Sequence, residues 1–257
     1  MRLHGKTALV TGAGSGIGKA TAALFCRQGA NAVLVDRCQE SLAAALAEIE
    51  AAGGSAIGVL ADVGNPEDAR SAVEQTSAHF GGLDILINNA AISIAKSVLD
   101  LSYEQWESVL NANLTGQFLM AQAATPPMRK AGGGSIVNIG SIQGKISEPG
   151  SAAYASSKGG VAQLTRSLAI ELANFNIVVN SISPGFIGNT QLSMADGVDE
   201  TTTEKFQTFY VGSGRIPLRR AGTVADVAAA TLFLASRECA YLTGADLVVD
   251  GGLSLTL

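Results

Sequence analysis

The sequence predicts an α/β fold: a doubly wound sheet of seven parallel strands with helices on both faces. Three observations lead there. Seven short runs rich in Val, Ile and Leu recur along the chain, each is near-continuously apolar, and the segments between them are long enough to cross over as helices. A strand covered on both faces reads this way because neither side of its pleat meets water, whereas a half-exposed strand alternates.

In order the runs are TALVTG (7–12), AVLVD (32–36), IGVLA (57–61), LDILINN (83–89), SIVNIGS (135–141), IVVNSIS (177–183) and ADLVVD (245–250). Helix signals fall between them. Asn65-Pro66-Glu67-Asp68 joins a capping side chain to a proline at the first helical position and acids in the first turn, and Gly53-Gly54 and Gly81-Gly82 stand where helices should stop. No proline-rich or charged linker and no internal repeat divides the 257 residues, so one domain, 1–257, is expected. The stretch 186–215 breaks the alternation. It is polar, dotted with glycine and longer than an ordinary connection, which reads as a lid over a binding site.

Composition narrows the function classes. Hydrophobic residues make up 47% and charged residues 15%, with 30 glycines, a balance suited to a packed α/β body with many tight turns. A net charge of −5, with no basic cluster beyond Arg219-Arg220, speaks against nucleic acid or an anionic membrane as partner. Those two arginines read as a solvated face. Cys26, Cys38 and Cys239 are odd in number and unevenly spaced, which builds neither a disulfide framework nor a metal knuckle and fits a reducing compartment. The opening MRLHGKTALVTG carries no export signal and no run approaches the ~20 apolar residues that span a bilayer, so a cytoplasmic protein is expected. His4 and His79 lie far from other ligand types, read as surface residues and leave no metal site to expect.

The first strand runs into Gly12-Ala-Gly-Ser-Gly-Ile-Gly18, which opens the first helix. Glycines there let backbone N–H groups approach a phosphate at the positive end of the helix dipole, so Gly12, Ser15, Gly16, Ile17 and Gly18 form a candidate anion cradle. Asp36 ends the second strand. A carboxylate there can accept hydrogen bonds from a ribose diol and repel a 2′-phosphate, which favours NAD over NADP, while the neighbouring Arg37 could pair with a phosphate. A methyltransferase can present the same loop and acid, so this end alone leaves the reaction open. Tyr154 and Lys158 lie one turn apart on one helix face, where an ammonium can stabilise a phenolate and make tyrosine a general base. With four tyrosines in the chain, that spacing also arises by chance.

Taken together and in order, the motifs resemble the short-chain dehydrogenase/reductase family. The matching pieces are Thr11 to Gly18, Asp62-Val63, Asn88-Asn89-Ala90-Ala91, Asn113, Gly134 to Ser141, Tyr154 to Lys158, Pro184-Gly185, Leu242-Thr-Gly244 and Val249-Asp-Gly-Gly252. The resemblance covers the chain essentially from Gly5 to Gly252. It implies a Rossmann fold and an oxidoreductase that moves a hydride between NAD(H) and an alcohol/carbonyl pair. By the same resemblance Tyr154 is the acid/base, Lys158 lowers its pKa and binds the nicotinamide ribose, Ser141 holds the reacting oxygen, and Asn113 supports a water linked to Lys158.

Further roles follow from the resemblance. Asp62 and Val63 would face the adenine, Asn89 and Ala90 run along the cofactor, and Pro184, Gly185 and Ile187 stand beside the nicotinamide carboxamide. The family often places a threonine five residues after that proline; here the position is Asn189, with Thr190 next, and either could serve. Ser93, Ile94, Gln143, Glu148 and Phe186 would rim the substrate pocket together with the lid. That mixture suits a sugar, polyol or secondary alcohol, although Met194, Phe206, Phe209 and Tyr210 add apolar surface. The alternatives are a 3-oxoacyl thioester reductase, which usually works with NADPH, and a regulator that senses dinucleotide without catalysis. Family members commonly assemble as tetramers, and the apolar ending GGLSLTL is consistent with burial in a homotetramer interface.

Overall fold

A computed structural model describes residues 1–195, 197–238 and 240–255. Seven strands form one sheet: β1 (Thr7–Thr11), β2 (Asn31–Asp36), β3 (Ser55–Leu60), β4 (Ile85–Asn88), β5 (Gly134–Ile139), β6 (Ile177–Pro184) and β7 (Asp246–Val249). Their order is β3-β2-β1-β4-β5-β6-β7 and every pairing is parallel. Each of the seven apolar runs became one of these strands. The principal helices are α1 (Gly16–Arg27), α2 (Gln39–Ala51), α3 (Pro66–Phe80), α4 (Tyr103–Leu110), α5 (Gly116–Lys130), α6 (Ala152–Leu172) and α7 (Val224–Ala235).

Strand β1 shows why the runs do not alternate. All five of its residues are buried: Ala8 and Val10 join a core with Phe25, Leu42 and Val227, while Leu9 joins a second core with Val73, Met120 and Leu168. Two apolar layers on opposite faces of one sheet are the doubly wound arrangement. From β1 the chain winds outward through β2 and β3, then returns to β4 on the other side. The strand order therefore reverses between β1 and β4, and ligands of such sheets bind in the crevice at the carboxyl ends of the strands there.

Caps fall where the sequence placed them. Asn65 Oδ1 accepts from the Glu67 and Asp68 N–H groups at 2.8 and 3.4 Å, and Gly81 ends α3 with φ +81°. Between α4 and α5 the backbone widens into one π-type turn, Asn111–Thr115, a distortion common at functional sites.

The stretch 186–215, expected from the sequence to be a lid, folds into short ordered turns. Short helical turns at Gln191–Ser193, Glu200–Thr202 and Glu204–Phe206 flank a two-residue ladder that pairs Met194 with Asp199, and a wide turn follows over Gln207–Gly212. Asp199 pins its base, accepting from the Asn189 N–H at 2.7 Å and the Thr201 hydroxyl at 2.8 Å. Arg219 and Arg220 are exposed but not idle. Arg219 donates to the Val211 and Gly212 carbonyls and Arg220 pairs with Asp226 at 2.8 Å, so they tie this stretch to α7 rather than form a merely solvated face.

His4 and His79 are exposed, and Cys26 and Cys38 are free thiols. Cys239 and the last two residues of the apolar ending lie outside the described residues. Among the described residues, no helix is long and apolar enough to cross a membrane.

Candidate active site

The glycine turn after β1 is shaped by close approach. A Cβ on Gly18 would meet the Gly12 carbonyl oxygen at 2.2 Å, and one on Gly12 would meet Ala90 Cα at 2.9 Å, so neither position admits a side chain. Ser15, at the N-cap of α1, makes no side-chain cap, unlike Asn65, Ser102 and Thr223 at the starts of α3, α4 and α7. The α1 terminus thus keeps N–H groups for an external acceptor, as an anion cradle requires.

Beside this turn lies a small cavity of about 70 Å³ lined by Gly12, Asp36, Arg37, Asp62, Val63 and Ala90. Every residue expected around the adenosine is in that set. Asp36 Oδ2 accepts from the Gly14 N–H at 2.9 Å and Oδ1 from the Cys38 N–H at 3.0 Å, which fixes the carboxylate while each oxygen keeps a lone pair. Ile92, Ala112 and Gln191 also line this cavity and had no signal in the sequence.

A second cavity of about 480 Å³ opens at the carboxyl ends of β4, β5 and β6. Ser141, Tyr154 and Lys158 meet there, with Asn89, Pro184, Gly185 and Ile187 on one side and Ser93, Gln143, Glu148 and Phe186 on the other. Of the expected rim and lid side chains, Ile94, Met194 and Phe206 are not part of the wall. Thr190 lines the cavity and lies against Gly16, 3.7 Å from an ideal Cβ there, whereas Asn189 points its backbone to Asp199. Glu200, Tyr210, Arg215 and Leu253 are also in the wall, together with apolar side chains that include Ile142, Ile146, Leu192 and Phe209. The sequence marked the lid but singled out neither Glu200 nor Arg215.

Helix α6 presents Tyr154 and Lys158 one turn apart. Lys158 is 2% exposed; its Nζ donates to the Ile139 carbonyl oxygen at 2.8 Å and stands 5.6 Å from the centroid of the Tyr154 ring. Burial pushes the Tyr154 phenol up to about 12, against the pull of a hydrogen bond with Ser141, and pushes the Lys158 ammonium down to about 7. Desolvation is the leading cause of both shifts, and the Lys158 ammonium is turned to a backbone carbonyl.

Asn113 does not line either cavity. Fully buried in the π-type turn, it accepts from the Ile92 N–H at 2.8 Å and donates to the Ile92 carbonyl at 2.9 Å and to Ser157 Oγ at 3.0 Å. One amide thereby ties the loop after β4 to the helix that carries Tyr154 and Lys158.

With this geometry in view, the comparisons with known proteins agree. A family model described as enoyl-(acyl carrier protein) reductase matches residues 12–254. The chain is 40% identical over 253 residues to 3-oxoacyl-(acyl-carrier-protein) reductase FabG of Thermotoga maritima, covering 98% of this chain and 99% of that one. It is 39% identical over 251 residues to a cyclopentanol dehydrogenase of Comamonas sp., covering 98% of each. Among solved structures, a short-chain type dehydrogenase/reductase from Mycobacterium marinum superimposes with a TM-score of 0.89 at 35% identity, covering 98% of this chain and 96% of that one. The chain belongs to the short-chain dehydrogenase/reductase family. It is an oxidoreductase, and enzymes of this family use NAD or NADP.

Proposed function

We propose that this enzyme is an NAD-preferring dehydrogenase of a small polar alcohol: a polyol, a sugar or a secondary alcohol. The observation that carries this reading is the 480 Å³ cavity, which joins Ser141, Tyr154 and Lys158 to the polar side chains of Gln143, Glu148 and Glu200. The 39% identity to a cyclopentanol dehydrogenase supports a small alcohol. Fixed acceptors at Asp36 support NAD, since a ribose diol supplies two donors there and a 2′-phosphate would add charge beside a carboxylate.

The glycine turn and the α1 terminus would hold the pyrophosphate, Asp36 the adenosine ribose, Asp62 and Val63 the adenine, and Lys158 the nicotinamide ribose. Thr190 and Ile187 would flank the carboxamide. Bound there, the dinucleotide supplies a nicotinamide carbon that accepts or returns a hydride. In oxidation Tyr154 Oη takes the hydroxyl proton as the carbinol C–H bond breaks and the carbonyl forms; in reduction Tyr154 gives that proton back to the oxygen. Ser141 donates to the same oxygen, and its hydrogen bond strengthens as charge develops. Asn113, held to Ile92 and Ser157, would support a water linked to Lys158.

We further infer one domain over 1–257, because the sheet gathers strands from Thr7 to Val249, with 186–215 as the substrate lid. A homotetramer in the cytoplasm is part of the same reading. Exposed apolar side chains on the β7 edge, Leu247 and Val248, support a partner surface.

A second reading keeps support from one observation. Phe186, Phe206 and Tyr210 pack their rings 4.6 to 5.1 Å apart along the lid, which suits an acyl group, and the relatives named FabG reduce 3-oxoacyl chains by their names. The test is initial-rate absorbance of reduced nicotinamide with NAD and with NADP against polyols, sugars, secondary alcohols and a 3-hydroxyacyl thioester. NAD reduction by the polar alcohols supports the first reading; turnover of the thioester with NADP alone replaces it.

A further inference from the structure

The cavity wall around Gln143 carries acceptors in excess. Glu148 Oε2 accepts from Gln143 Nε2 at 3.2 Å and Oε1 from the Tyr210 hydroxyl at 3.4 Å. Glu200 lines the same cavity, close enough to Glu148 that its charge adds to burial in raising the Glu200 carboxyl, and both carboxylates act on Tyr210. Gln143 Oε1 is a buried acceptor with no donor among the described residues. Arg215 lines the same cavity, stacks on the Phe209 ring at 4.2 Å and opposes the two carboxylates at Tyr210, one cation against two anions.

Ionised carboxylates can only accept hydrogen bonds. A substrate group that donates to them gains a charge-assisted bond and relieves the repulsion between two like charges. A substrate carboxylate would add a third negative charge to the same space, and a thioester carbonyl would bring a further acceptor.

We propose that Glu148 and Glu200 are specificity-determining residues that select substrates with a second hydrogen-bond donor, a diol or an amino alcohol, and exclude hydroxy acids. This rests on the reading of the enzyme as a dehydrogenase of small polar alcohols. It goes further by assigning the part of the substrate that does not react. The link to the chemistry is short, since Gln143, the partner of Glu148, gives its backbone N–H to Ser141 Oγ at 3.1 Å.

The experiment compares kcat/KM for 2-butanol, 1,3-butanediol and 3-hydroxybutyrate in the wild type and in the separate variants Glu200→Gln and Glu148→Gln. The carbon skeletons match, so the comparison isolates the second group. The wild type is expected to prefer the diol to the hydroxy acid by at least about tenfold, and each isosteric variant to narrow that ratio by about tenfold, chiefly through KM. A wild type that uses 3-hydroxybutyrate as well as the diol, or variants that keep the wild-type ratio, overturns the assignment while leaving the small-alcohol reading in place. Silence with all three, in protein whose Tm still rises with NAD, removes that reading and this one with it.

Discussion

Lys158 Nζ donates to the Ile139 carbonyl oxygen at 2.8 Å, from a position only 2% exposed at the end of β5. Replacing Lys158 by Met removes the cation and leaves that carbonyl to Gln117 Nε2 at 3.3 Å. Turnover is expected to fall by about 10²–10⁴-fold, measured as kcat with saturating cofactor. The stability effect has a sign of its own. Burial brings the folded Lys158 from 10.5 to about 7, so between those values the unfolded chain binds a proton that the folded chain does not, and stability rises with pH. The wild type should therefore gain on Lys158→Met in Tm as pH climbs through that window; a difference independent of pH would contradict the buried, deprotonating lysine.

Tyr154 sets the pH dependence of the chemistry. With its phenol pushed up to about 12, the acid form prevails near neutrality, which supports proton donation in reduction. Oxidation needs the phenolate. The rate of alcohol oxidation should rise with pH above about 7, while carbonyl reduction stays level or falls. Parallel profiles in the two directions would assign the proton to another group.

Asn113 holds both backbone groups of Ile92 and the Ser157 hydroxyl at once. In Asn113→Ala the part-buried N–H and carbonyl of Ile92 lose this partner, while Ser157 Oγ keeps the Tyr154 carbonyl at 2.7 Å, and each unsatisfied group costs about 1–3 kcal/mol. Urea denaturation should show a loss in at least that range. A variant as stable as the wild type would show that the amide is not the tie between the β4 loop and α6.

Much of this was legible because the physics is local. An apolar run of five or six residues between polar helices has few ways to bury itself, and glycines after β1 have a direct backbone reason. What stayed hidden depends on distance in space. The orientation of Lys158 toward Ile139 follows from how α6 packs on β5, and no spacing of Tyr154 and Lys158 encodes it. Glu200 and Arg215 sit in a stretch whose folding into short turns hangs on Asp199, which gave no signal in the sequence, and on Arg219, which reads as solvated until its partners are known. Asn189 and Thr190 were equal in sequence; the left-handed backbone of Asn189, φ +57°, turns it away and leaves Thr190 on the cavity.

Asp36 is expected to set cofactor choice. Asp36→Asn keeps an acceptor for the backbone but removes the charge that opposes a 2′-phosphate, with Arg37 alongside. The ratio of kcat/KM for NADP to that for NAD should rise by about tenfold or more. An unchanged ratio would place discrimination elsewhere in the small cavity.

Gly18 tests the cradle. A methyl group there would stand 2.2 Å from the Gly12 carbonyl oxygen, a backbone atom that cannot swing aside. Gly18→Ala should weaken dinucleotide binding about tenfold or more by titration, and unaltered affinity would mean that the turn does not hold the phosphates.

The most direct measurement sets Tyr154→Phe beside the wild type, with NAD and a diol, following reduced-nicotinamide absorbance while a parallel melt reports cofactor binding. The account predicts growing absorbance in the wild type, a loss of about 10²–10⁴-fold in the variant, and a Tm raised by NAD in both. Equal rates in the two proteins would contradict the assignment of Tyr154 as the acid/base on which the whole reading depends.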